Sequence, residues 1–206
     1  MRKKITAKLK SWTGIREACD KIGGKIINSG YKPDIIIAVA RGGLVPAMNL
    51  SDILGIKDLV SIQVEHWGKT AEKDAKAKLK YNIDIFLPGR KVLIADDISD
   101  TGESFEVACE FIKNLNPGEI KTAAIHYVKT SRFKPDFYAE TVDRTDEFIW
   151  IVYPWNIIED TINLIEKLNI SYSDTNKIKR ELKENYGFIV DEKTLEKITA
   201  EMRRRC

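Results

Sequence analysis

Two runs of this chain, Ile35–Ala40 and Val92–Ala95, are apolar without interruption. Successive strand residues point to opposite faces, so strands of this kind have to be covered on both sides. Parallel sheets meet that demand, because each crossover connection lays a helix on one face. The segments around the two runs carry the helical spacing that such crossovers need. Ile15, Cys19, Ile22 and Ile26 recur on one side of a helix over Trp12–Asn28, with Thr13 as its expected N-cap and Gly30 where a left-handed C-cap falls. Pro46 suits the first turn of a second helix that Gly55 ends. Leu59–Val64 and Lys121–Val128 read as further strands, Gly102–Leu115 as a helix, and the alternation of Tyr81, Ile83 and Ile85 as a half-exposed strand. Beyond Trp155 the periodicity is helical, in Ile157–Leu168, Thr175–Tyr186 and Glu192–Arg204. The expected fold class is therefore α/β: a mostly parallel sheet with helices on both faces, plus a C-terminal helical extension.

Composition narrows the function classes. The 34 basic residues face 31 acidic ones, a net charge of +3, which is too even a balance for a protein devoted to nucleic acid. Cys19, Cys109 and Cys206 form no CxxC and no Cys/His cluster, which argues against a disulfide scaffold or a structural zinc site. No apolar run approaches the roughly 20 residues of a membrane helix, and none follows the basic start Met1–Lys4 as a signal peptide would. The expected location is the cytoplasm, with neither a membrane nor nucleic acid as partner.

The chemistry concentrates after the second apolar run. Asp96 and Asp97 end that strand, and Asp100-Thr101-Gly102-Glu103-Ser104 follows where a helix should begin. A helix start presents outward-pointing amides and the positive end of the dipole, which suits a dianionic phosphate. Gly102 lets the backbone approach closely, and the hydroxyls of Thr101 and Ser104 can donate to phosphate oxygens. Adjacent carboxylates above a phosphate suit ribose hydroxyls and Mg²⁺, which prefers oxygen ligands. The bland alternative is an Asp-capped helix after an ordinary strand. Neither G-x-x-x-x-G-K-[ST] nor G-x-G-x-x-G occurs, so the phosphate cannot belong to those two motifs.

Residues 92–104 resemble the phosphoribosyl-pyrophosphate (PRPP) signature of the type I phosphoribosyltransferases. Ile37–Pro46, with Arg41-Gly42-Gly43, resembles the first active-site loop of the xanthine-guanine enzymes and their archaeal relatives. Trp150–Trp155 resembles their aromatic purine-binding segment. The matches keep the family's order and cover roughly residues 33–157.

The resemblance implies a Mg²⁺-dependent transfer of the 5-phosphoribosyl group from PRPP to guanine, xanthine or hypoxanthine, in a homo-oligomer (a dimer or tetramer). It implies that Asp96 and Asp97 hold the ribose hydroxyls, with Asp97 nearer the metal, and that Asp100 is the general base at the purine's imidazole edge. Thr101, Gly102, Glu103 and Ser104 would bind the 5′-phosphate. Glu103 departs from the expected small residue, so its side chain should turn outward and only its amide bind. Arg41 and Gly42 would hold pyrophosphate, in a loop where the family often has a non-proline cis peptide. Lys129 would donate to the 6-oxo group, Trp150 would stack on the base, and the Ile151 backbone would lie near the 2-position. Asn156 stands where the compared enzymes have Asp.

Glu65–Lys80 lacks apolar periodicity and reads as a mobile loop or lid, from which Lys69 or Lys73 would reach pyrophosphate. His126, Cys109 and Trp155 read as packed residues. Residues 1–170 form the expected phosphoribosyltransferase domain, and residues 171–206 a helical extension absent from the short bacterial enzymes. Two other readings stay open on the same fold: a PRPP-sensing regulator that binds nucleic acid through Arg203–Arg205, and a transferase for another base.

Overall fold

A computed structural model of the chain describes residues 5–66, 77–170 and 174–205. The elements in order are β1 (Ile5–Leu9), α1 (Trp12–Asn28), β2 (Ile35–Ala40), α2 (Leu44–Leu54), β3 (Leu59–His66), β4 (Ala77–Tyr81), β5 (Lys91–Ser99), α3 (Glu103–Lys113), β6 (Glu119–Val128), β7 (Phe137–Val142), β8 (Phe148–Val152), α4 (Ile157–Leu168), α5 (Thr175–Tyr186) and α6 (Glu192–Arg205). They fall into two compact units, one of residues 15–143 and one of residues 1–14 with 144–206. No described helix is long and apolar enough to cross a membrane.

The larger unit is built on a six-stranded sheet in the order β4-β3-β2-β5-β6-β7. All its pairs are parallel except β3 with β4. The expected α/β class with a mostly parallel sheet is borne out. Ile35, Ile37, Val39, Val92 and Ile94 pack on Phe105, Ala108 and Ile112 of α3. The alternate residues Ile36, Ala38, Leu93 and Ala95 are equally inaccessible, so both faces are covered. From β2 the chain passes to β3 on one side, whereas β5 leads to β6 and β7 on the other. The order thus reverses between β2 and β5. Open α/β sheets bind ligands beyond the carboxyl ends of the strands at such a switch point.

Several local expectations change. Ser11, not Thr13, caps α1: its Oγ accepts from the Gly14 N–H at 3.0 Å. The strand expected at 81–85 lies instead at Ala77–Tyr81, where it pairs antiparallel with β3 across a register irregularity. Inter-strand hydrogen bonds there outweigh the alternation of Ile83 and Ile85. The described part of Glu65–Lys80 is therefore strand at both ends, while Trp67, Lys69 and Lys73 lie outside the described residues. Finally, β5 does not stop at Ala95. It runs through both aspartates to Ser99, because Asp96, Ile98 and Ser99 continue the ladder with Ala124, His126 and Tyr127.

The smaller unit pairs β1 with β8 in parallel and covers that ribbon with α4, α5 and α6. Its core joins Ala7, Val152, Ile162, Leu164 and Ile165 to Ile178, Leu182, Phe188, Leu195 and Ile198. The division expected at residue 170 is therefore not where the contacts divide the chain. Helices α5 and α6 share one core with the strand that follows residue 147, because a two-stranded ribbon cannot bury its apolar face alone. Arg204 is paired with Glu201 at 2.6 Å, and Arg205 with Glu159 at 2.9 Å, so two of the three terminal arginines are engaged within the unit.

Candidate active site

At the switch point the chain leaves β2 through a cis peptide between Ala40 and Arg41. Gly43 follows in a space with no room for a side chain: a Cβ would stand 2.3 Å from the Ala95 carbonyl oxygen. Gly42 is limited in the same way by a side chain, since its Cβ would stand 2.3 Å from Oδ2 of Asp97. The loop after β2 therefore lies directly against the acidic pair of β5. The cis peptide falls where the resemblance implied one.

Asp96 and Asp97 are 7% and 8% exposed. Their carboxyl groups lie close enough to share a side-chain hydrogen bond. Oδ1 of Asp96 accepts from the Asp97 N–H at 2.8 Å. Burial, reinforced by the charge of Asp97, holds the Asp96 carboxyl well above the usual carboxylate range. A buried acidic pair of this kind is suited to a cationic or hydroxyl-bearing ligand, which would restore the ionised forms. Among the described residues no group of three or more His, Cys, Asp and Glu could cage a metal. The two carboxylates of Asp96 and Asp97 fit Mg²⁺, which takes one or two carboxylates together with substrate oxygens and water.

The turn after β5 has its own brace. Gly102 adopts φ +94° and occupies the N-cap position of α3, two residues after Asp100. A Cβ on Gly102 would stand 2.6 Å from both the backbone nitrogen and Cβ of Phe133. The left-handed conformation and this close approach together require glycine. Ser99 Oγ donates to the Phe133 carbonyl at 2.7 Å, and the Arg132 N–H donates to the Thr101 carbonyl at 3.2 Å. Phe133 stacks on Phe105 with ring centroids 5.2 Å apart. Residues 131–133 thus hold the turn in place, a role that no local sequence signal announced, because the contacts join residues about thirty apart. The first intrahelical bond of α3 runs from the Glu106 N–H to the Gly102 carbonyl, so the amides of residues 103–105 have no partner within the helix, and that of Glu103 donates to Thr101 Oγ1 at 3.3 Å. The Glu103 side chain lies 3.3 Å from Arg132 and accepts from the Ala77 N–H at 3.3 Å.

Lys129 follows β6, exposed, with its ammonium 2.7 Å from Asp143. The Asp143 carboxylate raises the lysine pKa further, through a hydrogen bond and its charge. His126, further back on β6, is buried and lies 3.3 Å from Glu140. Arg41, Gly42, Asp96, Asp97, residues 100–104 and Lys129 therefore all belong to the carboxyl-terminal side of adjoining strands in the larger unit.

The remaining candidates belong to the smaller unit. Trp150 lies against the core of that unit, with the Lys167 ammonium 4.7 Å from its ring centroid and its indole N–H donating to Asp160. Its ring is thus already engaged, while Ile151 points to the opposite face of β8. Asn156 occupies the N-cap position of α4 without a side-chain cap bond. Trp155 stacks on Tyr153 at 4.6 Å and meets Trp12 at 5.9 Å.

The family model for the phosphoribosyl transferase domain matches residues 6–157. The chain belongs to the phosphoribosyltransferase family. It has the type I phosphoribosyltransferase fold and is an enzyme of the glycosyltransferase, pentosyl-transferring kind. A purine phosphoribosyltransferase from Pyrococcus horikoshii is 36% identical, with a TM-score of 0.61 over 73% of this chain and 94% of that one. The xanthine-guanine phosphoribosyltransferase of Cereibacter sphaeroides is 26% identical over 152 residues, covering 71% of this chain and 85% of its own length. The enzyme of the same name from Idiomarina loihiensis is 32% identical over 124 residues, covering 59% and 70%.

Proposed function

We propose that this phosphoribosyltransferase transfers the 5-phosphoribosyl group of PRPP to a 6-oxopurine (guanine, xanthine or hypoxanthine), releasing pyrophosphate and a purine nucleotide. The packing of Gly42 on Asp97, beside the start of α3, carries the reading. It sets a glycine backbone, a carboxylate pair and a helix end side by side, which is what a sugar bearing both a phosphate and a pyrophosphate requires. The matched relatives are named for purines, xanthine and guanine, which supports the choice of base.

In this reading a ring nitrogen of the base attacks C1′ as the C1′–O bond to pyrophosphate breaks. The bonding pair leaves with pyrophosphate, and the base gives up a proton to the Asp100 carboxylate. Asp96 and Asp97 hold the ribose hydroxyls, and their charge favours the cationic sugar of the transition state. Mg²⁺, held through Asp97, would neutralise charge on the leaving group. Arg41 and Gly42, with Lys69, bind pyrophosphate; Thr101, Gly102, Ser104 and the Glu103 amide bind the 5′-phosphate. Lys129 donates to the 6-oxo group. Of the purine segment, Trp150 stacks on the base, its ring oriented by Asp160 and Lys167, and the Ile151 backbone and Asn156 lie towards the 2-position.

A panel of purine bases with PRPP and Mg²⁺ tests the reading directly. Pyrophosphate release with at least one 6-oxopurine is expected. A folded, Mg²⁺-supplied sample that turns over none of them overturns it. Asp100→Asn should lower kcat far more than it weakens PRPP binding, and equal losses in both would remove Asp100 from the role of base.

A further inference from the structure

Two carboxylates stand in the first turn of α3, Glu103 and Glu106. Acids there stabilise a helix through its dipole, but they repel a dianion bound at the same end. One side chain faces both. Arg132 Nη2 lies 3.3 Å from Glu103 Oε1 and 2.8 Å from Glu106 Oε2. The backbone N–H of the same residue donates to the Thr101 carbonyl, inside the turn itself. Glu103 is the more enclosed acid, its side chain 21% exposed against 45% for Glu106. Its second oxygen accepts from the Ala77 N–H.

We propose that Arg132 is a positioning residue for the phosphate turn, which makes the start of α3 electrostatically able to accept a phosphate monoester dianion. It does so in two ways. The guanidinium pairs with Glu103 and Glu106 and offsets their charge at the helix start. The backbone amide fixes Thr101. This rests on the assignment of residues 101–104 to the 5′-phosphate. It goes beyond that assignment by giving a role to a residue outside the turn, and by explaining how an acid is tolerated at position 103. A guanidinium suits the task, because its planar fork can serve two carboxylates at once.

The test is charge rescue, read as binding of PRPP with Mg²⁺ and of ribose 5-phosphate without metal, by calorimetry on the full chain at low ionic strength. Arg132→Gln should weaken both ligands by about tenfold, while KM for the base stays within about twofold. Adding Glu103→Gln and Glu106→Gln should return both affinities to within about threefold of the parent. The defect of Arg132→Gln should shrink as salt is raised, since the groups are partly exposed. Thermal melts of each variant separate a fold defect from a binding defect. Unchanged affinity in Arg132→Gln overturns the proposal. Failure of the triple variant to recover also overturns it, in favour of direct contact between Arg132 and phosphate. If the parent protein binds neither ligand, the phosphate assignment falls and this proposal with it; if it binds both and Arg132→Gln does too, only this proposal falls.

Discussion

The Asp97 carboxylate fills the space beside the Gly42 Cα that any larger residue would need. Gly42→Ala must therefore displace either the acid or the loop after β2. Overpacking of this sort costs about 1–3 kcal/mol, and displacement of a reactant-holding group by about 1 Å can lower a rate a hundredfold. The variant should fold with a reduced Tm and lose about two orders of magnitude in kcat/KM for PRPP. Gly24→Ala is the control: nothing lies within 4 Å of its would-be Cβ, and it sits inside α1. That change should raise stability by about 0.5–1 kcal/mol. Equal activity in Gly42→Ala and the parent would show that the contact is dispensable.

Lys129 and Asp143 form a solvent-exposed pair, 59% and 49% accessible, so the lysine has little to do with holding the fold. Lys129→Met should leave Tm within about 2 °C of the parent. It should lower kcat/KM for guanine, xanthine and hypoxanthine by roughly ten- to a hundredfold, the usual loss of one charged hydrogen bond. KM for PRPP should not move. A parallel loss against all substrates, PRPP included, would place Lys129 outside base recognition.

What the chain disclosed in advance follows from the range of its interactions. Helix α1, the left-handed Gly30, the helix stop at Gly55 and the buried runs of β2 and β5 depend on residues a few positions apart, and all were legible. Strands β1, β7 and β8 were not recognised as strands. β1 finds its partner about 140 residues away, as in the bond from Thr6 to Glu147, and no local pattern records that. The same limit applies to the site. Asp96, Asp97 and residues 100–104 formed one contiguous motif. Ser131, Arg132 and Phe133 reach that motif only across the fold, through bonds to Ser99 and Thr101, so nothing in their own neighbourhoods marked them. Trp150 was legible as an aromatic of the late segment, but its packing depends on which face of β8 meets the helices of its unit.

Asp160 gives the smaller unit a pH-dependent stability. Burial raises its carboxyl from 3.8 to about 6, against the opposing hydrogen bond from Trp150 and the charge of Lys167. An acid whose pKa is higher folded than unfolded binds protons more tightly in the folded state. Its contribution is complete below about pH 4 and is lost as pH rises through about 6. Asp160→Asn keeps an acceptor for the indole N–H and removes the buried charge. Its Tm should match the parent at pH 4 and exceed it by about 2–4 °C at pH 7.5, a modest shift for a chain of this size. A constant difference across that range would mean that the carboxyl does not titrate differently on folding.

Removal of residues 171–206 tests whether the terminal helices are an appendage or half of a core. The cut takes away Ile178, Leu182, Phe188, Leu195 and Ile198, each at most 1% exposed, and uncovers Val152, Ile162, Leu164 and Ile165. A unit stripped of that much apolar contact has no means of offsetting its conformational entropy. The shortened chain should bind a hydrophobic dye, lose its cooperative melt and aggregate on concentration. The single change Ile178→Ala should lower stability by about 2–5 kcal/mol without abolishing folding. For the same reason, a gel-retardation comparison with residues 1–170 cannot isolate nucleic-acid binding by Arg203–Arg205, since the control would be misfolded. Replacing the exposed Arg203 and Arg204 by Gln leaves the core intact and gives the cleaner comparison. A shortened chain that stays monomeric with an unchanged Tm would show instead that α5 and α6 are a separable addition.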